Sequence, residues 1–241
     1  MDYGALIDSA AVDGRMLIDA AESNWSRPVP HCPEWDIAGL VRHTGGILEW
    51  MAAVVTTGEF VNRRALDAPP TADTDLRRWY LDNLDRTLAV LRHADPQAKA
   101  WTFSSLGDQR VAWWRRRLAI EVAIHRWDAE HAAEIDPSPL DCDVAEAGIE
   151  EFVSEFLPGL LATHRADGLA GTLHLQLTDV AEEYWLDLDH GGAPCDDLTA
   201  ASTSIRGPAT DILLWMTNRH PVHVDVRGEG DAFTKWARLK R

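Results

Sequence analysis

Glu121 and His125 lie four residues apart in the stretch IEVAIHRWD, just after an arginine run at 115–117. On a helix this spacing stacks a carboxylate and an imidazole on one face. With Glu121 at zero, His125 falls at about +40°, Asp128 at about −20°, Arg117 at about −40° and Trp114 at about +20°. Leu118 and Ile124 flank the stripe at about ±60°, with Ile120 and Val122 just beyond at about ±100°. The pattern therefore turns Glu121 and His125 inward. It predicts a solvent face made of Arg115, Arg116, Arg126 and Glu130.

A carboxylate on a buried face needs compensation, because burial penalises its charged form. One solution is internal, with Arg117 or His125 pairing with Glu121. The other is a metal ion held by carboxylate oxygen and imidazole nitrogen from adjacent turns. His43 is a candidate third ligand, in the stretch IAGLVRHTGGILEWMAAVV. It sits at the edge of an apolar face, with Leu40 at about +60°, Ile47 at about +40° and Trp50 at about −20° from it. Gly39 and Gly46 on the other flank remove bulk and suit a cavity. The alternative for His43 is a core histidine bonded to a backbone carbonyl. Three protein ligands would leave a coordination position open, as in catalytic sites. Mixed nitrogen and oxygen donors favour zinc, though nickel and iron share such ligands. Asp128 is placed either to orient a ligand imidazole or to form a salt bridge within its helix.

The elements that must position these residues are mainly helices. Leu6, Ala10, Leu17 and Ala21 recur at helical spacing in a first helix. Asp36 is an expected N-cap for a second helix running to Gly58. Leu76, Tyr80, Leu84, Leu88 and Leu91 mark a third. A fourth runs over roughly 111–133 and carries Glu121 and His125. A fifth is expected over about 144–164, with Phe152, Phe156 and Leu160 along one side and Pro158 as a kink or early stop. The pattern then changes. TLHLQL and YWLDLD alternate as half-buried strands around a polar turn, and STSIRG and VHVDVRG read as further strands. PATDILLWMTN is a helix with proline in its first turn, and DAFTKWARLK a final short helix. The division follows as 1–166 for a helical bundle and 167–241 for a small α+β domain.

Composition bounds the function. The 241-residue chain has a net charge of −16 and 46% hydrophobic residues. That charge disfavours nucleic acid and anionic membrane as partners, while leaving room for a local basic pocket that takes a small anion. The three cysteines are far apart and form no CxxC pair, which predicts a reducing cytoplasm rather than a disulfide framework. The N-terminal stretch lacks an apolar signal core, and no apolar run approaches the ~20 residues of a membrane span. Eleven tryptophans must be mostly core or cleft wall.

Two stretches, RPVPHCPEWDIAGLVRHTGG and RRRLAIEVAIHRWDAEHA, resemble the N-terminal motifs of the actinobacterial mycothiol-dependent maleylpyruvate isomerase family. The resemblance covers essentially the whole chain. It implies an α+β protein with a DinB-like four-helix bundle followed by a sterol-carrier-like α+β domain. The family's His, Glu and His metal ligands correspond to His43, Glu121 and His125. Its arginine near the end of the C-terminal domain's helix corresponds to Arg219, whose other role would be a cation at a helix C-terminus. Ile120 stands where many relatives carry histidine, at a position off the metal face.

The resemblance further implies mycothiol as cosubstrate, bound in an interdomain cleft with its sulfur at the open metal position. The thiolate would add to a small electrophilic substrate. Elimination after bond rotation would give isomerisation, and retention of the adduct would give thiol transfer. Trp50, Trp114 and Arg117 would line the cosubstrate site, and Arg219 would hold a carboxylate or an enolate-like charge. The rival expectation is a non-catalytic small-molecule or lipid-binding module with a vestigial metal site. A monomer or a dimer is expected.

Overall fold

The computed structural model describes residues 2–162, 170–195, 201–220 and 223–228. The chain forms two compact units, Met1–Val144 and Ala145–Arg241. The first holds α1 (Tyr3–Ala21), α2 (Ile37–Thr57), α3 (Asp73–His93) and α4 (Val111–Ala132). The expected caps are in place. The Asp36 side chain accepts from the Gly39 amide at 2.7 Å, and α2 ends at Gly58, which takes a left-handed φ of 72°. Such a conformation carries no side-chain penalty in glycine.

Paired residues give the helix directions. Asp8, Arg15 and Asp19 of α1 meet Arg92, Asp85 and Arg77 of α3, so these two helices are antiparallel. Arg42 pairs with Asp73, and the Thr87 hydroxyl donates to the Leu48 carbonyl, so α2 and α3 run parallel. His43 faces Glu121 and Trp50 meets Trp114, which sets α2 and α4 antiparallel. The order is thus up, down, down, up. A parallel pair cannot be joined by a tight turn, so residues 58–72 return along the length of the bundle.

The helix-four prediction succeeds in its bounds and its inward stripe and fails on its far side. Arg115, Arg126 and Glu130 are buried, at 8%, 1% and 4% exposure. Arg116 is half-buried. The Arg126 Nε donates to Asp13 at 3.2 Å, its Nη1 to Glu130 at 2.7 Å, and its Nη2 to the Pro139 carbonyl at 3.0 Å. Arg115 donates to the Ala94 carbonyl at 2.7 Å. Angular position fixes which residues share a face, but not what covers that face. Here α1 and the linkers on both sides of α4 fold over the presumed solvent side. Arginines remain there because each finds carbonyl or carboxylate partners.

The division falls within α5 (Cys142–Glu151), which is followed by a π-helical turn at Phe152–Phe156 and by α6 (Leu157–Ala162). The single helix expected over 144–164 is therefore interrupted just before Pro158. Proline has no amide to donate and its ring crowds the carbonyl four residues back. The chain widens to a five-residue step, in which the Leu157 amide donates to the Phe152 carbonyl, and so continues past the proline. The units divide at 144/145, whereas the change in sequence pattern falls at 166/167.

The sheet comprises β1 (Thr172–Leu177), β2 (Glu183–Asp187), β3 (Ala193–Pro194), β4 (Thr203–Gly207) and β5 (Asp225–Gly228), in the order β3-β2-β1-β4-β5. β1 pairs antiparallel with β2 and parallel with β4. Alternation sends Leu173, Leu175, Leu177, Leu186 and Ile205 to the buried face. α7 (Ala209–Met216) follows β4 and buries Ile212, Leu213, Trp215 and Met216. The α+β class is as expected. The predicted helix at DAFTKWARLK lies outside the described residues.

Candidate metal centre

His43 from α2 and Glu121 and His125 from α4 converge. The Nε2 atoms of His43 and His125 each lie 3.3 Å from Glu121 Oε1. One donor atom from each residue lies within 4.8 Å of the other two. The His125 side chain is 9% exposed, that of Glu121 12% and that of His43 28%, so the cluster is enclosed yet reachable from the His43 side.

Three neighbours shape the cluster. Asp128, fully buried, accepts at 2.9 Å from or stands against His125 Nδ1. Arg117 is in direct contact with Glu121 Oε2. Burial alone would raise the Glu121 pKa, but Arg117 and the two imidazoles outweigh it and hold the carboxyl well below its usual range. Burial alone would lower that of His125. Hydrogen bonds to Asp128 and Glu121 reverse this and push it up to about 9.

The third neighbour, Trp35, is one that reasoning from helical spacing misses. Its ring centroid lies 4.5 Å from His43 and 6.1 Å from His125. It immediately precedes the Asp36 cap, and the linker is pinned there by bonds from Val29 to Trp35 and from Trp35 to Cys32, at 3.0 and 2.8 Å. A bulky residue just before an N-cap packs back onto the first turn, which was the available signal. At Gly39 an added Cβ would meet the Asp36 cap oxygen at 3.3 Å and Trp35 at 3.5 Å, so that position borders the cap and the indole and not an open cavity. Gly46 meets the cavity expectation better, since an added Cβ would have only Arg63 within 4 Å, at 3.9 Å.

The donor set fits a divalent ion. Ligands at about 2.0–2.1 Å in a tetrahedral site stand about 3.3 Å from one another. Both histidine–glutamate separations are 3.3 Å, so an ion could be accepted with small side-chain adjustments. Asp128 on the far ring nitrogen of His125 is the kind of outer partner that ligating histidines have.

Trp50 and Trp114 meet edge to face at 5.3 Å, two turns along the same helix faces. Trp50 is 8% exposed, whereas Trp114 is fully buried with its indole N–H donating to the Trp101 carbonyl. Trp114 is thus placed behind Trp50 rather than at the surface. Arg219 lies in the second unit, just after α7. Its amide donates to the Leu214 carbonyl at 2.8 Å across a left-handed Asn218, closing the helix end. Its guanidinium donates to the Thr217 carbonyl at 2.7 Å. None of the three cysteines belongs to the ligand cluster.

Residues 9–130 match the family profile described as the mycothiol maleylpyruvate isomerase N-terminal domain, and residues 143–234 match the corresponding C-terminal domain. The chain belongs to the mycothiol maleylpyruvate isomerase family. Two solved structures share its fold, the mycothiol-dependent maleylpyruvate isomerase and a histidine-to-alanine mutant of it. Each covers 95% of both chains with a TM-score of 0.61 at 10% identity. No curated protein sequence matches significantly. In this member of the mycothiol maleylpyruvate isomerase family, the cluster joins residues from both N-terminal motifs. Among the described residues, no helix is long and apolar enough to cross a membrane.

Proposed function

We propose that this protein is a metal-dependent enzyme that uses mycothiol to isomerise, or to receive the thiol on, a small electrophilic substrate. Zinc is the assigned ion, held by His43, Glu121 and His125. The observation that carries the reading is the 3.3 Å approach of two imidazole nitrogens to one Glu121 oxygen, in a chain matched by both domains of this family. The chemistry supplied at such a site is deprotonation of a thiol near neutral pH, which gives a sulfur nucleophile.

The chain's own residues do the rest. Asp128 fixes the ring of His125 so that Nε2 points at Glu121. Arg117 neutralises the Glu121 carboxylate and keeps it ionised. Trp35 covers the imidazoles on one side and excludes water there, which strengthens the electrostatics of the site. Trp50 offers an apolar wall, and Arg219 is assigned to a substrate carboxylate or to charge developing beside it.

The test is metal analysis of the purified protein and of His43→Ala and Glu121→Ala, with folding checked by circular dichroism. Near-stoichiometric metal in the parent and little in either variant is expected; full occupancy in both variants sinks the ligand set. Turnover of maleylpyruvate with and without mycothiol tests the cosubstrate, and equal rates would remove it.

One observation favours the second reading, a binding module. A cavity of about 520 Å³ in the second unit is lined by Val153, Pro158, Tyr184, Trp185, Leu186 and Pro194 among others. Such a space accepts an apolar ligand. If the metal-stripped protein binds a hydrophobic probe tightly and shows no turnover with any thiol, that reading replaces the first.

A further inference from the structure

Arg63 lies in the linker between α2 and α3, in a 3-10 turn over Arg63–Ala65. Its guanidinium carbon sits 5.7 Å from the centroid of the Trp50 ring. Its Nη2 is the nearest atom to the missing Cβ of Gly46, at 3.9 Å. Gly46 and Trp50 lie on the His43 side of α2, within about 60° of it and one and two turns further on, roughly 5–10 Å along the axis. Arg63 therefore lies over the stripe that leads from the ligand cluster to the aromatic wall.

This placement is fixed by the fold. The Trp50 indole N–H donates to the Val61 carbonyl at 2.8 Å, anchoring the linker two residues before Arg63. Asn62 then accepts from the Arg64 amide at 3.0 Å and starts the turn. The chain has 39 acidic residues against 23 lysines and arginines, so carboxylate partners are abundant. Most bundle arginines take one, including Arg15, Arg42, Arg77, Arg92, Arg117 and Arg126. Arg63 has no carboxylate partner among the described residues and rests on an indole face. A guanidinium over an aromatic ring is attracted to it yet keeps its N–H fork available.

We infer that Arg63 is a carboxylate-recognition residue of the helical unit. A planar carboxylate accepts two parallel N–H bonds from its fork. The ligand class is a small carboxylate, for which maleate serves as the probe. The assignment rests on the proposed function for its purpose, but not for the binding it predicts. It is a different assignment from that of Arg219, a residue of the second unit.

The experiment titrates the zinc-loaded protein with maleate and, separately, with its neutral dimethyl ester, following tryptophan fluorescence and heat. Arg63→Gln should weaken maleate binding by roughly tenfold or more, leave the ester unchanged and leave the metal content unchanged. Arg63→Lys should recover part of the loss, because a point charge replaces the fork. Equal maleate affinity in the parent and Arg63→Gln overturns the assignment, as does a parent that binds no maleate. Equal weakening toward both ligands also overturns it, since the effect would then be steric. Loss of maleate affinity in Arg63→Gln, in a protein with no mycothiol-dependent turnover, would sink the isomerase reading while leaving Arg63 in its role.

Discussion

His125 Nδ1 stands 2.9 Å from Asp128 Oδ2, so the other ring nitrogen is the one turned toward Glu121. Asp128 has no exposure, and the proposed function assigns it to holding the ring of His125 from one turn away. Asp128→Asn keeps the shape but removes the charge, and metal affinity should fall by about 10–100-fold. Competition with a chromophoric chelator measures it, and unchanged affinity would return Asp128 to a purely structural role.

Metal uptake should depend on pH through His125. Its pKa in the metal-free protein is pushed up to about 9 from an ordinary 6.5, and a histidine must lose its proton to ligate. Between pH 6.5 and 9, apparent affinity should rise by up to about tenfold per pH unit, with one proton released per ion. The stability sign runs the other way in the metal-free protein. A raised histidine pKa stabilises fully below about 6.5, and that contribution is lost as pH rises through about 9. Thermal melts in the presence of chelator should therefore fall across this window, and melts with zinc should not follow them.

Arg117 distinguishes a core ion pair from a metal site. Its side chain and that of Glu121 are 14% and 12% exposed and in contact. Removing one partner of a buried pair costs about 3–5 kcal/mol. Two imidazoles also face Glu121, so Arg117→Leu should fall at the lower end in metal-free protein. Added zinc should restore most of the lost melting temperature. A variant that stays destabilised with zinc bound would make Arg117 a structural partner first.

Arg126 carries the opposite expectation. It ties Asp13 of α1 to Glu130 of α4 and to the carbonyls of Ser138 and Pro139. Arg126→Met leaves two buried carboxylates without their cation and should cost about 3–5 kcal/mol. Zinc should rescue little of it. Chemical denaturation with and without zinc checks this.

The helices of the first unit were legible because each signal is local. Asp36 and Gly58 bound α2 through capping and a left-handed turn, and Leu76 to Leu91 repeat at helical spacing along α3. The π-helical turn was not legible in detail. Pro158 announces an interruption, but whether the chain stops or widens depends on what α5 and α6 pack against. Asp128 is legible one turn from His125 because its spacing is helical, whereas Trp35 and Arg63 were not found, since linker residues carry no periodicity to extrapolate.

By itself the sequence determined that Glu121 and His125 share a face with Asp128 and Arg117, because helical geometry depends only on spacing. It also offered His43 with its glycines, and motifs that mark the family. Only the tertiary structure decided that α2 and α4 run antiparallel with His43 level with Glu121, since helix pairing is set by side chains distant in the chain. The same is true of the side taken to face water. α1 and the linkers flanking α4 bury Arg115, Arg126 and Glu130, because burial belongs to whatever packs on a face, and the periodicity of one helix does not contain it.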